Sequence, residues 1–270
     1  MSWWGKLIGG AFGYLVGGPL GGLLGAALGH SFDAGFKQAT ETLLHWPPFT
    51  AQEQAQTAFF TATFSVMGHL AKSDGQVTRD ELGVASDLMR QMHLTPELTK
   101  VAQRLFTEGK AADFPLDAVL DQFRRECHRR RNLMRLFIEI QLYAALADGA
   151  MHSHERRLLV HVCQRLGIPY SEFLRLEAMI DAELRFRGGA GTREVAEEQG
   201  NGLGDAYALL NVSPEVSDAE LKGAYRRLIS QHHPDKLVAS GLPEEMMKLA
   251  TRKTQEIKLA YERIKKARGL

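Results

Sequence analysis

The chain lacks most of the features that mark an enzyme or a disulfide-held secreted domain. It has only two cysteines, Cys127 and Cys163, in 270 residues. Two are too few for a disulfide framework, and no Cys-x-x-Cys pair occurs, so a reducing compartment and buried, inert thiols are the natural reading. No nucleophile elbow, phosphate loop or dinucleotide fingerprint is present, and neither a catalytic role nor a cofactor is expected. The alternating oxygen ligands of an EF-hand and the His-Glu-x-x-His of zinc enzymes are absent as well. The net charge is only +1, which removes any argument from a global polyelectrolyte field. What remains is ordinary globular material, 44% hydrophobic and 24% charged, long enough for two domains and an appendage.

Charge is also missing from one long stretch. Leu7 to Gly29 is a run of 23 residues without a charged side chain, enough as a helix to cross a hydrocarbon core of roughly 30 Å. Within it Gly9, Gly13, Gly17, Gly21 and Gly25 recur at every fourth position, which cuts a smooth groove along one side of a helix where two backbones can approach closely. The expectation is a transmembrane anchor over residues 1–32 that dimerises through this groove, followed by a juxtamembrane segment over 33–49 that ends at His45-Trp46-Pro47-Pro48. A cleaved signal peptide ending near Ala27-Leu28-Gly29 competes with it, against a poor n-region holding the single Lys6. Lys6, Asp33 and Lys37 give too little asymmetry to orient the span.

From Thr50 to Arg187 the pattern is helical and repeats itself. Asp74-Gly75-Gln-Val77-Thr78-Arg-Asp-Glu81 is echoed by Asp148-Gly149-Ala-Met151-His152-Ser-His-Glu155, each between two apolar helical patterns. Glycine can end the first helix in the left-handed region, and the Thr78 to Glu81 spacing is that of a capping box for the next. Two such helix hairpins predict an all-α domain. Asp74, Glu81, Asp148 and Glu155 are metal candidates, with His152 or His154 helping, but capping is sufficient to explain these acids and no metal is expected. Between the repeats, Phe123 to Arg135 carries six arginines. No aromatic interleaving points to nucleic acid; a solvated helix face is the default, and anionic lipid is the better partner beside a membrane anchor. Residues 188–204 are polar and glycine-rich, which predicts a flexible tether.

Residues 205–270 hold two amphipathic helices around a stop. Leu221, Ala224, Tyr225, Leu228 and His232 share one arc while Lys222, Arg226 and Arg227 lie outside it. Pro234 lacks an amide hydrogen and forces His233 out of the helical region, so this helix ends at about His232. After Gly241-Leu242-Pro243 a second stripe runs through Met246, Leu249, Ala250, Lys253, Ile257, Ala260, Tyr261 and Ile264, with Arg252, Glu256, Glu262 and Arg263 turned elsewhere. An antiparallel hairpin capped by His-Pro-Asp follows.

In this order and spacing, Asp205 to Val212, the helix with Ala224-Tyr-Arg-Arg-Leu228 and His233-Pro-Asp-Lys236 resemble the J domain of DnaJ co-chaperones, and the paired turns of the central region resemble the TerB-like domain. The whole layout is similar to the membrane-anchored DjlA-type members. The resemblance implies docking on a cytoplasmic DnaK-type chaperone and stimulation of that partner's ATPase. It assigns Tyr225, Arg226, Arg227 and Lys222 to the docking helix and His233, Pro234 and Asp235 to the loop that triggers the partner. It also implies an inner-membrane, single-pass chain with its bulk in the cytoplasm, tied to envelope stress and capsule signalling. The alternative is a membrane scaffold or sensor whose central domain binds a metal ion or anionic lipid.

Overall fold

The computed structural model describes residues 50–72, 86, 89–90, 92, 94–146, 149, 151–190 and 201–270. The uncharged run with its glycine series lies outside them, as do Asp74, Glu81 and Asp148. Among the described residues there is no strand, and no helix is long and apolar enough to cross a membrane.

Helix α1 (Ala51–Ala71) is the axis of the first unit. Thr50 caps it: Glu53 N–H donates to Thr50 Oγ1 at 3.2 Å, and Thr50 N–H to the Glu53 carboxylate at 2.8 Å. From Thr57 to Gly68 every residue is buried, as expected of a helix packed on all sides. Thr57 and Ser65 return their hydroxyls to carbonyls one turn back, while the hydroxyls of Thr61 and Thr63 are buried without a partner. Helix α2 (Pro96–Gly109) crosses α1 where Gly68 faces Phe106 and Gly109 faces Ser65, backbone against backbone, with no room for a Cβ on either glycine.

Helices α3 (Leu116–Cys127), α4 (Arg131–Leu146), α5 (Ser153–Leu166) and α6 (Tyr170–Ala190) complete the unit. Phe59, Phe123 and Phe137 pack in series, with ring centroids 6.2 and 4.7 Å apart, and full burial of such side chains contributes roughly 1.5–3 kcal/mol each. Burial pushes both thiols, Cys127 and Cys163, up to about 12, so they are inert at neutral pH. The second repeated turn is built as its sequence predicts. Gly149 has φ +103°, and the Glu155 carboxylate accepts the His152 N–H at 2.9 Å to start α5.

The second unit comprises α7 (Asn201–Leu209), α8 (Asp218–His232), a six-residue α9 (Pro234–Ala239), a 3₁₀ turn at Glu244–Met246 and α10 (Met247–Arg268). Ser217 and Glu220 form the predicted capping box of α8. Leu221, Ala224 and Leu228 pack with Ala250, Ile257, Ala260 and Ile264 of α10 in one core, and Tyr225 stacks on Tyr261 at 4.2 Å. Arg268 pins the end of α10 to the α7–α8 turn: it donates to the Tyr207 hydroxyl and to the carbonyls of Val216 and Pro214, and it pairs with Asp218 at 2.7 Å.

The segment read as a tether is helical at both ends. Helix α6 continues to Ala190 and α7 begins at Asn201, with 191–200 between them outside the described residues. The two helices pack against each other, and Arg185 of α6 meets Asp205 of α7 at 2.9 Å. The J-like unit is therefore seated on the helical unit in this structure.

Candidate functional site

Proline is what shapes the centre of the site. Helix α8 stops at His232, and His233 takes an extended backbone, φ −61° and ψ 125°. Pro234 then occupies the first position of α9, where a missing N–H costs nothing. His233 caps this new helix, its Nδ1 accepting the Asp235 N–H at 3.3 Å. The sequence predicted a bare turn here, and the structure has a turn that begins a helix. The Asp235 side chain points outward, 86% exposed, with its carboxylate 4.0 Å from His233 Nδ1.

Beside the turn, Lys222, Arg226 and Arg227 are exposed and Tyr225 is half-buried on Tyr261. Lys222, Arg226 and Ser230 follow one another at the four-residue spacing that stacks side chains along one ridge. Lys236 reaches back from α9 to Ser230, its Nζ 2.6 Å from the hydroxyl. This brings a further cation to the ridge, one absent from the sequence-derived set, although it stands directly after the tripeptide.

The flanks of the turn are held by the helical unit. On the near side His232 is 2% exposed and lies 3.6 Å from Glu139 of α4. Lys253 of α10 is buried between Glu139, at 3.5 Å, and Glu183 of α6, with which it forms a direct ion pair. Arg187 of α6 completes the cluster, 2.9 Å from Glu183 and 2.5 Å from Glu256 of α10. Glu256, expected on the outer face of its helix, is thus turned inward, because Arg187 offers it a buried partner. A cavity of about 30 Å³ opens beside Glu139, Glu183 and Lys253, room for about one water. On the far side Gly241, at φ +97°, lies against Ala55 and Arg130 so closely that a Cβ would collide, and Gln52 of α1 bonds the Val238 carbonyl of α9.

These charges perturb one another. Burial lowers His232 from its ordinary value, opposed by the charge of Glu139. Glu183 is lowered despite its burial, by Lys253 first, while Lys253 is raised by Glu183 and Glu139 against its own burial. Burial and the charge of Glu183 push Glu256 up to about 7. The signal for this cluster was present in the sequence: His232 and Lys253 occupy apolar-stripe positions of their helices, where a polar residue needs a partner.

Of the four metal candidates only Glu155 is described, and it is engaged as a cap. Among the described residues no group of three or more potential ligands comes together.

An outward His-Pro-Asp turn beside a basic helix, on an antiparallel hairpin with a short preceding helix, defines a J-domain protein. The comparisons agree and extend it. A DnaJ domain model matches residues 205–268, a model of the tellurite resistance protein TerB matches 60–178, and one of the co-chaperone DjlA transmembrane domain matches 1–39. Relatives called co-chaperone protein DjlA align over the whole chain. That of Vibrio cholerae serotype O1 is 41% identical with both chains fully covered, that of Escherichia coli K12 is 42% identical with 99% of its length covered, and that of Aliivibrio fischeri is 43% identical with both fully covered. The chain belongs to the DjlA co-chaperone family. No solved structure matches it.

Proposed function

We propose that this co-chaperone docks on a cytoplasmic DnaK-type chaperone through α8 and the His-Pro-Asp turn, and that docking stimulates the partner's ATPase. The reading is carried by one observation: Lys222, Arg226 and Lys236 form an open cationic ridge that leads to the exposed Asp235, while the turn's flanks are fixed from behind. Arginine at such a rim recognises carboxylates by charge-assisted bonds and speeds encounter more than it deepens affinity, which suits a transient partner. Tyr225 stiffens the ridge through its stack on Tyr261. The catalytic groups belong to the chaperone.

By this reading residues 1–32 span the inner membrane once, with the bulk of the chain in the cytoplasm where DnaK-type chaperones work. Gly9, Gly13, Gly17, Gly21 and Gly25 pair two anchors, and the arginine-rich segment works beside anionic lipid. Through the chaperone the pair would act in envelope stress or capsule signalling. Binding of an ATP-loaded DnaK-type chaperone to the full chain in neutral detergent tests the docking face. Lys222→Glu with Arg226→Glu should weaken it at least about tenfold, since like charges across an interface cost several kcal/mol, and the remaining binding should depend less on salt. Unchanged affinity would remove α8 from the interface.

A further inference from the structure

A basic cleft lies between the two units, behind the proposed docking ridge. One part, of about 570 Å³, is lined by the end of α3, the first turns of α4 and the α5–α6 turn, with Gln231 of α8 on its far wall. It runs on past Arg135 and Gln231 into a second space of about 290 Å³ under α8. Arg124, His128, Arg131, Arg135, Arg175 and Arg227 face this groove.

Among the described residues only one of these arginines is paired with an acid. Arg124 donates to the Arg165 carbonyl and Arg175 to that of Ser171, and His128 bonds the Arg125 carbonyl. Arg135 pairs with Glu172, yet its Nε is buried without a partner. Arg131 and Arg227 have no carboxylate within reach among the described residues.

The start of α4 adds a second, independent sign. Helix N-termini carry partial positive charge and favour acids in the first turn by about 0.3–1 kcal/mol. Here the first turn of α4 has no acid and opens instead on Arg131, with Arg135 one turn on. That placement works against the helix dipole and leaves the start of α4 without an acid of its own, so an external anion near Arg131 would be favoured there.

Position selects the anion. Arg130, next to Arg131, donates to the Ala51 carbonyl at 2.9 Å, so the arginine turn sits at the very start of α1. The matched transmembrane domain ends at residue 39, and the chain from there to Ala51 reaches at most about 40 Å. A cationic cleft at the membrane-proximal end of a tethered domain meets lipid headgroups at high local concentration. We infer that this cleft binds the phosphodiester of an anionic phospholipid headgroup, which would rest on the start of α4 with Arg124, Arg131 and Arg135 on one side and Gln231 of the J domain on the other. A headgroup held this way touches both units and clamps them in the seated arrangement.

The inference rests on the membrane-anchored reading, and one experiment separates the two. The full chain is placed in nanodiscs of phosphatidylcholine, with or without a third of phosphatidylglycerol, and amide hydrogen exchange is followed over residues 131–135. Anionic discs should slow exchange there, and Arg124→Gln with Arg131→Gln should weaken that protection about fivefold for each arginine removed. Arg131→Lys, which keeps the charge, should preserve most of it and serves as the folding control. Equal exchange in the two kinds of disc would overturn the cleft assignment and leave the anchor standing. Equal protection by millimolar inorganic phosphate in neutral discs would assign the cleft to a free anion and overturn the lipid. A chain that did not enter discs at all would overturn the anchored reading and the inference with it.

Discussion

His232 adjoins the functional turn and is also its anchor, and its environment makes a specific demand on pH. Its lowered value means that, on acidification through the ordinary value of 6.5, the unfolded chain takes up a proton that the folded chain resists. Stability from this residue is therefore present at neutral pH and lost as pH falls below about 6.5. Glu256 acts in the opposite sense. It is raised from 4.5 to about 7, so between those values the folded chain holds the extra proton and acid favours folding. His232→Gln removes the first effect alone. Melting of the full chain in neutral detergent should show wild type above the variant at about pH 7, with the gap closing by about pH 5. A constant gap would mean that His232 is not held neutral by the junction. The position of His232 on an apolar arc was legible in the sequence, but its partner Glu139, 93 positions upstream, was not, because nothing local announces a pairing between separate units.

Helices and their stops were legible wherever the signal was local. The end of α8 follows from Pro234, the start of α8 from Ser217 and Glu220, and the second repeated turn from Gly149 and Glu155. Helix α9 escaped because a proline that ends one helix also fits the first position of the next, and six residues carry too little periodicity to reveal it. Residues 188–204 were read as a tether from their polar, glycine-rich composition; α6 and α7 reach into that range from both ends and pack on each other, which no local signal announces. The N-terminal element rests on periodicity. If Gly17 and Gly21 lie in a helix–helix groove, Gly17→Leu with Gly21→Leu fills the groove while raising hydrophobicity, so insertion persists and dimerisation weakens. Crosslinking between protomers in membranes should fall, and an unchanged yield at equal insertion would count against the groove.

Across the whole molecule, the helical unit acts as a mount. It grips the J domain on two sides of His-Pro-Asp, at His232 and Lys253 on one and at Gly241 and the Val238 carbonyl on the other, and it leaves the turn and the cationic ridge open. A buried cluster of this kind fixes one arrangement more than it adds stability, since removing any one partner strands a buried charge at roughly 3–5 kcal/mol. The sequence disclosed the parts in order and their family, but not this seating: His232 and Lys253 stand out on their apolar stripes, while the partners they need are scattered over α4 and α6 with nothing local to mark them. The measurement that bears most directly on the function is single-turnover ATP hydrolysis by a purified DnaK-type chaperone with the full chain in neutral detergent, wild type against His233→Gln. The account predicts stimulation by the wild type and none by the variant at equal folded content. Equal stimulation by both, or none by either, would contradict it.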